Sequence, residues 1–364
     1  DFGRVLSASS VPRSRSRSQK GFKGRSRYAW GYCIRAMSKE NGSATLMGAK
    51  RLWLEEEIQD DLKWIYSVKS ILHTEVSDFQ DVELLETGPF GKVLLLDGKL
   101  QSAEADERVY HECLVHPALL HHPNPKKVFI CGGGEGSTAR EVLKHKSVEK
   151  VVMVDIDKVV CDFCEKHLED NAATFKDPRL ELIIDDAKAQ LENQQDGAFD
   201  VIIGDLADPV FGGPCYQLYT QEFYESIVKA KLAPGGIFVT QSGPAGVLAH
   251  TEVFTPINKT LASVFPKVVP YLQHIPSFAD CWGWNMAFKS AEVALPLPEG
   301  ELDARIQDRL SGGADSLKFM DGVSWTGVTA LNKIVRASVE NEQHVLTVAS
   351  PKFIHGKGVK QVDF

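Results

Sequence analysis

A glycine-rich turn and several acidic residues stand directly after short apolar runs of the sequence. The run 128–131 leads into the turn 132–136, and glycines there let the backbone ahead of a helix approach a ligand closely. Asp155 ends the next run, where a carboxylate can hold the two hydroxyls of a ribose. Asp186 follows a third run and can accept a hydrogen bond from an adenine amino group, while the small Ala187 leaves room for the base. Together these features predict a nucleoside site.

Glu135 lies inside the glycine turn and indicates the charge of the bound nucleoside. Pyrophosphate recognition relies on bare backbone amides and the helix dipole, and an acid at this position repels a phosphate or a carboxylate. A dinucleotide is therefore disfavoured. Decarboxylated S-adenosylmethionine ends in an ammonium group, which Glu135 could pair.

Two further carboxylates, Asp205 and Asp208, follow a fourth apolar run at the edge of the sheet where ligands bind. A ligand made of ammonium groups joined by methylenes needs acids at intervals and apolar or aromatic walls between them. Polar and aromatic residues elsewhere supply these types, although the tryptophans could equally be core residues. The candidates are Tyr110, Gln241, Phe278, Trp282 and Trp284.

The elements that position these residues follow from the hydrophobic pattern. Between residues 64 and 97, short apolar or alternating pieces separated by turn residues predict antiparallel strands. From residue 127 the chain repeats strand, turn and helix, which predicts an α/β fold with a doubly wound, mostly parallel, Rossmann-like sheet of the methyltransferase-like kind. Ser137 is the predicted N-cap of a helix through 139–143. The predicted strands are 128–131, 151–155, 180–184, 200–204 and 237–241.

Charge is distributed unevenly along the 364 residues. The formal net charge is −8, yet residues 1–36 hold nine basic residues against one acid, so the remainder is near −16. An acidic body favours a polycationic ligand over nucleic acid. No apolar stretch approaches the roughly 18 residues that a membrane helix needs. The Arg- and Ser-rich head is predicted to be disordered, and its composition also fits an organellar transit peptide or translated sequence upstream of a start at Met37.

The predicted organisation has four parts. They are a basic head at 1–50, a small N-terminal antiparallel β-strand domain at 51–105, a Rossmann-like catalytic domain at 106–345 and a C-terminal tail at 346–364.

The seven cysteines are odd in number and scattered. Only Cys161 and Cys164 form a C-x-x-C pair, predicted to lie on a helix, and no second pair at ligand spacing accompanies them. We therefore predict no metal site. Free thiols indicate a reducing compartment, most simply the cytoplasm.

Short motifs recur along the chain at 79–81, 96–98, 106–112, 132–136, 154–157, 186–187, 205–209, 233–236, 239–241, 317–319 and 321–322. In their order and spacing, these motifs resemble those of the spermidine/spermine synthase superfamily of aminopropyltransferases over residues 53–340. The resemblance implies that Asp205 is the catalytic base. It implies that the aminopropyl donor is bound by Gln80, Gly132, Gly133, Gly134, Glu135, Asp155, Asp186 and Ala187. It further implies a polyamine pocket lined by Tyr110, His111, Asp208, Gln241, Phe278 and Trp282.

Several positions depart from spermidine synthase. His111 occupies a position where spermidine synthases usually have Gln, and Phe278 occupies one where they have Tyr. These two differences put putrescine as the acceptor in doubt. Glu135 stands for an Asp and Asp155 for a Glu. The Glu-containing glycine turn and the sequence Tyr110-His111-Glu112 are most similar to plant thermospermine synthases.

The implied reaction is the transfer of an aminopropyl group from decarboxylated S-adenosylmethionine to spermidine, giving thermospermine and methylthioadenosine. It requires no metal or redox cofactor, and the family resemblance implies a homodimer or homotetramer. Spermine or spermidine synthesis by the same chemistry remains open. An S-adenosylmethionine-dependent methyltransferase and a non-catalytic polyamine-binding protein are further alternatives.

Overall fold

A computed structural model describes residues 52–59, 62–211, 213–292 and 297–354. The predicted basic head lies outside these residues, and so does the end of the predicted tail. Among the described residues, no helix combines the length and the apolar character needed to cross a bilayer.

The first sheet is built from consecutive antiparallel strands paired in chain order. Asp97 and Gly98 have φ angles of 49° and 71°, so they form the tight turn that the last hairpin needs. The strands are β1 (Leu52–Gln59), β2 (Leu62–Val76), β3 (Asp81–Thr87), β4 (Lys92–Leu96) and β5 (Lys99–Ala103).

The second sheet has the order β11-β12-β10-β9-β6-β7-β8. Pairing is parallel from β10 to β8, and β12 and β11 continue antiparallel at one edge. Each predicted strand is present, and the predicted fold class is confirmed. The strands are β6 (Lys127–Gly132), β7 (Lys150–Asp155), β8 (Leu180–Ile184), β9 (Phe199–Asp205), β10 (Leu232–Pro244), β11 (Lys267–Ile275) and β12 (Asp280–Phe288).

Helices cover both faces of the second sheet, because its strands are apolar on both sides. One apolar cluster joins α1 to residues such as Ile130, and another joins α8 to residues such as Ile202. The α-helices of the described residues are α1 (Glu107–His121), α2 (Ser137–Leu143), α3 (Lys158–His167), α4 (Glu169–Ala172), α5 (Ala187–Glu192), α6 (Gln221–Phe223), α7 (Lys229–Lys231), α8 (Phe254–Val264), α9 (Glu299–Arg309), α10 (Gly322–Thr329) and α11 (Lys333–Asn341).

Helix α3 connects the two sheets. Its residues Val160, Phe163 and Cys164 pack against Val82 and Leu84 of the first sheet. Both cysteines of the C-x-x-C pair, Cys161 and Cys164, lie on this helix, as expected.

The N-cap prediction for Ser137 is wrong. The N-cap position of α2 is occupied by Gly136 in a left-handed conformation, with no side-chain cap. Ser137 is the first helical residue, and its hydroxyl donates to Glu135 instead. The Ser137 oxygen accepts from Asn171 Nδ2 at 2.9 Å and from Arg140 Nη1 at 3.3 Å, so side chains rather than the helix backbone use it as an acceptor.

The order of the strands changes direction at β6. Strands β7 and β8 lie on one side of β6, and β9 lies on its other side. Strands β6 and β9 are adjacent and parallel, and Gly132 at the end of β6 pairs with Asp205 at the end of β9. Such a switch point opens a crevice at the carboxyl ends of the strands. The glycine turn and the predicted base therefore meet at the place where this fold binds ligands.

Candidate active site

Close approach of two strand ends fixes the glycine turn against Asp205. The N–H of Gly133 donates to the main-chain oxygen of Asp205 at 3.1 Å. A Cβ added to Gly132 would lie 2.2 Å from that same oxygen, and Gly132 has a φ of 81°. Glycine is therefore required at this position to let β9 deliver Asp205, before any ligand is considered.

Both carboxylate oxygens of Asp205 accept hydrogen bonds from side chains. Thr138 Oγ1 donates to Oδ2 at 2.6 Å, and Tyr110 donates its hydroxyl to Oδ1 at 3.3 Å. Burial, followed by the charge of Asp205, raises the pKa of Tyr110 well above its usual value. Tyr110 therefore remains a neutral donor to the carboxylate.

Glu135, the carboxylate of the glycine turn, is held by two serines. Ser137 Oγ donates to Oε1 at 2.6 Å, and Ser102 Oγ from the first sheet donates to the same oxygen at 3.0 Å. Burial raises the pKa of Glu135, and the neighbouring charge of His111 opposes this effect. The acid predicted to pair an ammonium is thus buried, and the charges of His111, Glu107 and Arg140 all act on it.

His111 belongs to a buried ion network at the start of α1. Its Nδ1 lies 2.9 Å from Oε2 of Glu107, and Arg140 donates to that oxygen at 2.7 Å. Burial alone would lower the pKa of His111, but the hydrogen bond to Glu107 and the charges of Glu135, Glu107 and Asp205 raise it to about 9. Burial would raise the pKa of Glu107, but His111 and Arg140 lower it to about 2. His111 is therefore an imidazolium at neutral pH.

Glu107, His111 and Glu135 each offer one ligand atom, all within 4.8 Å of one another, which is close enough to hold a metal ion. Sequence reasoning did not predict this cluster. All three residues also make hydrogen bonds within the protein, since Glu107 binds His111 and Arg140, and one oxygen of Glu135 binds two serines.

The predicted nucleoside residues lie around the ends of β7 and β8. Asp155 accepts from the N–H of Gly134 and from the N–H of Asp157, both at 2.9 Å, so it is tied to the glycine turn. Burial raises the pKa of Asp155, and these two hydrogen bonds partly offset the rise. Gln80 comes from the first sheet and donates to Asp157 at 2.9 Å.

The adenine-binding candidates lie at the start of α5. Asp186 is the N-cap of this helix and accepts from the N–H of Ala189 at 2.9 Å, and Ala187 is its first residue. The sequence pattern placed both residues after the third strand, where the structure has them.

Three polyamine-pocket candidates come together from α1, from the turn between β11 and β12, and from β12 itself. The ring of Phe278 packs against Tyr110 and Trp282, with ring centroids 5.7 and 4.7 Å apart. Buried Asp106 accepts from the N–H and the hydroxyl of Ser277, both at 2.8 Å, and so fixes the turn that carries Phe278. These three rings form a continuous aromatic wall. Trp284 is fully buried and belongs to the core.

Gln241 is strongly bonded to the protein. Its Oε1 accepts from Gly243 N–H at 2.8 Å and Trp282 Nε1 at 3.1 Å, and its Nε2 donates to Leu206 O and the Tyr219 hydroxyl, both at 2.7 Å. A longer contact of 3.4 Å leads from Nε2 to Asp208. This amide orders the loop that carries Asp208, and direct contact of Gln241 with a polyamine stays a prediction.

Sequence reasoning missed the residues that hold the carboxylates in place. Glu107 could have been found, because it lies one helical turn before His111, at a spacing that favours ion pairs. Ser102 gave no local signal, since it lies 33 residues before Glu135. Glu112, adjacent to the site, is structural, as it accepts three backbone hydrogen bonds from residues 318–320.

Two family models match the chain between residues 52 and 296. The spermine/spermidine synthase domain matches residues 107–296, and the spermidine synthase tetramerisation domain matches residues 52–104. The chain therefore belongs to the spermine/spermidine synthase family. It is an aminopropyltransferase, which confirms the resemblance inferred from the motifs.

Individual relatives agree with this assignment. Thermospermine synthase ACAULIS5 of Arabidopsis thaliana is 54% identical to this chain, and the alignment covers 84% of this chain and 88% of the relative. A polyamine aminopropyltransferase of Aeropyrum pernix is 39% identical, over 86% of this chain and 98% of its own.

Two solved structures show the same fold. Spermidine synthase from Thermotoga maritima has a TM-score of 0.72 at 28% identity, covering 82% of this chain and 98% of that one. A spermidine synthase in complex with the transition-state analogue AdoDATO has a TM-score of 0.73 at 29% identity, covering 82% and 99%.

Proposed function

We propose that this aminopropyltransferase moves the aminopropyl group of decarboxylated S-adenosylmethionine to spermidine, giving thermospermine and methylthioadenosine. The 54% identity to the Arabidopsis thermospermine synthase supports this product. The observation that carries the chemistry is the convergence of two carboxylates, Glu135 and Asp205, beside His111 at the switch point.

The reaction is an in-line displacement. An amine of spermidine loses a proton to Asp205, its nitrogen attacks the methylene bonded to the sulfonium sulfur, and the carbon–sulfur bond breaks to release neutral methylthioadenosine. The proton must be removed because aliphatic ammonium groups ionise near pH 10 and only the neutral amine has a lone pair. Glu135 would pair the ammonium of the donor, and Asp155 and Asp186 would hold its ribose and adenine.

The acceptor pocket favours a longer amine than putrescine. His111 is cationic, and Phe278 offers no hydroxyl, so the distal ammonium of a short diamine finds little to pair with. Spermidine reaches further, toward Asp208. Its two ends differ by one methylene, worth only about 1–3 kcal/mol in a pocket, so the depth of the pocket selects the product.

The test is incubation with decarboxylated S-adenosylmethionine and a mixture of putrescine and spermidine, followed by chromatography that separates the isomeric tetraamines and mass spectrometry. We expect thermospermine as the main product. Spermine instead would refute the product assignment and leave the transfer chemistry intact. Rapid conversion of putrescine would refute the acceptor assignment.

The proposed chemistry uses no metal or redox cofactor, because the sulfonium already provides a good leaving group and the base removes the only proton that must move. Kinetics with and without a strong chelator test this proposal. Unchanged turnover is expected.

We also propose a homodimer or homotetramer assembled through the first sheet. This region matches the tetramerisation domain, and β2 exposes several large apolar side chains that include Trp64, Ile65 and Ile71. Light scattering should give a mass of two or four chains, and substituting Ile65 and Ile71 with Lys should reduce it. A monomeric wild-type chain would refute the assignment.

For the compartment, we propose the cytoplasm. Six cysteines within the described residues are free, which suits a reducing environment. Imaging of the full chain fused to a fluorescent reporter tests this, and accumulation in an organelle would contradict it.

A further inference from the structure

Two consecutive hydroxyl residues at the start of α2 reach different carboxylates of the site. Ser137 donates to Oε1 of Glu135, and Thr138 donates to Oδ2 of Asp205, each at 2.6 Å. Both side chains are almost completely buried, with 1% and 0% exposure. Each of the two hydroxyl protons is therefore used by one of the two acids.

The surroundings of Asp205 make its two oxygens inequivalent. Oδ2 faces the protein, because it binds Thr138 and would lie only 3.3 Å from a Cβ added to Gly133. Oδ1 faces Tyr110, whose ring forms part of the aromatic wall with Phe278. The side of Asp205 that an amine can reach is therefore the Oδ1 side.

Glu135 shows the same arrangement. Ser137 and Ser102 both donate to Oε1, so one oxygen of this carboxylate is held from two directions. A carboxylate fixed through one oxygen has a defined orientation for the other. In both acids a buried hydroxyl group thus fixes one carboxylate oxygen, and the two hydroxyl groups belong to the adjacent residues Ser137 and Thr138 of α2.

We infer that Thr138 and Ser137 are positioning residues, one for each carboxylate. Thr138 fixes Oδ2 of Asp205 so that Oδ1 receives the proton of the attacking amine. In that step an N–H bond of the ammonium breaks, an O–H bond forms at Oδ1, and the electron pair remains on nitrogen for the displacement. Ser137 fixes Glu135 to receive the ammonium of the aminopropyl donor. This inference rests on the proposed function and assigns the roles of two residues within it.

Thr138→Val tests the first role, because valine keeps the shape and removes the hydroxyl. We expect kcat to fall about tenfold or more, while the spermidine KM and the donor Kd change less than about threefold, since the interaction acts on the proton transfer. Thr138→Ser should restore kcat to within about threefold of wild type. If the valine variant does not fold, Thr138→Ala against Thr138→Ser makes the same comparison.

Thr255→Val is the matched control. Thr255 is also fully buried and donates its hydroxyl to a carboxylate, in this case Oε2 of Glu342 at 2.8 Å. Loss of stability from a buried hydroxyl should affect both variants similarly, whereas kcat should fall only in Thr138→Val. An unchanged kcat in Thr138→Val, or a serine variant as slow as the valine variant, would overturn the role of Thr138.

Ser137→Ala tests the second role by calorimetry with two ligands. Affinity for decarboxylated S-adenosylmethionine should fall about fivefold or more, because Glu135 loses one of its two donors, while affinity for methylthioadenosine, which lacks the ammonium, should stay within about twofold. Equal losses for both ligands would show a general distortion and refute the assignment. If wild type transfers no aminopropyl group, the proposed function itself fails, and this outcome differs from any result that concerns the variants alone.

Discussion

Protonated His111 should make the free energy of unfolding depend on pH, and the substitution His111→Gln should remove this part of the pH dependence. The pKa of His111 is raised from 6.5 to about 9 in the folded protein, against the effect of burial, by Glu107, Glu135 and Asp205. A histidine with a raised folded pKa binds its proton more tightly in the native state. Its contribution to stability is therefore complete below pH 6.5 and is lost as the pH rises through 9.

The size of this contribution follows from the shift. A difference between 6.5 and about 9 corresponds to about 3 kcal/mol, at about 1.4 kcal/mol for each pH unit. The side chain of His111 is only 4% exposed, so solvent screening does not reduce the figure much. The lowered pKa of Glu107 arises from the same contact, so its free energy is not added.

The assay is equilibrium urea unfolding of wild type and His111→Gln at about pH 6 and about pH 10, at one protein concentration because assembly also stabilises the fold. Wild type should lose about 3 kcal/mol more than the variant between these pH values. His274→Gln, at an exposed position, serves as the control and should keep the wild-type pH dependence. Equal pH dependence of wild type and His111→Gln would refute the reasoning.

Three further substitutions test other parts of the site. Asp205→Asn keeps the shape and removes the base, so kcat should fall about 100-fold or more in steady-state assays while donor affinity is kept; near-normal turnover would remove Asp205 from the mechanism. Glu135→Lys should abolish calorimetric binding of decarboxylated S-adenosylmethionine by charge repulsion and preserve binding of methylthioadenosine; unchanged affinity for the donor would contradict the ammonium contact. Glu112→Gln weakens three backbone hydrogen bonds and should lower the free energy of unfolding by about 1–3 kcal/mol with little change in kcat, and a catalytic loss without destabilisation would show that Glu112 is not structural.

The positions of the acids could be predicted from the sequence because they depend on local pattern and topology. Asp155, Asp186 and Asp205 each follow an apolar run, and the carboxyl ends of parallel strands meet at one edge of the sheet. Hydrophobic periodicity alone therefore places these acids near one another and near the glycine turn. The fold class follows from the same alternation of strands and helices.

The start of α2 shows where this approach fails. Local propensity assigns Ser137 to the N-cap, because a serine before a helix usually accepts from the backbone. In the structure Gly136 occupies the N-cap position, and the oxygen of Ser137 accepts from the side chains of Asn171 and Arg140. Asn171 lies 34 residues away in the chain, so local propensity contains no information about this contact.

The sequence by itself determined the family, the fold and the set of acids at the strand ends, because those follow from residue type and spacing. Only the tertiary structure decided how each acid is held and charged. Tyr110 meets Asp205 across 95 residues of sequence, and Ser102 meets Glu135 across 33 residues. The protonation of His111 likewise depends on charges from three separate segments. Hydrogen bonds and charge interactions act over a few ångströms in space, so they are fixed only when packing has brought distant segments together.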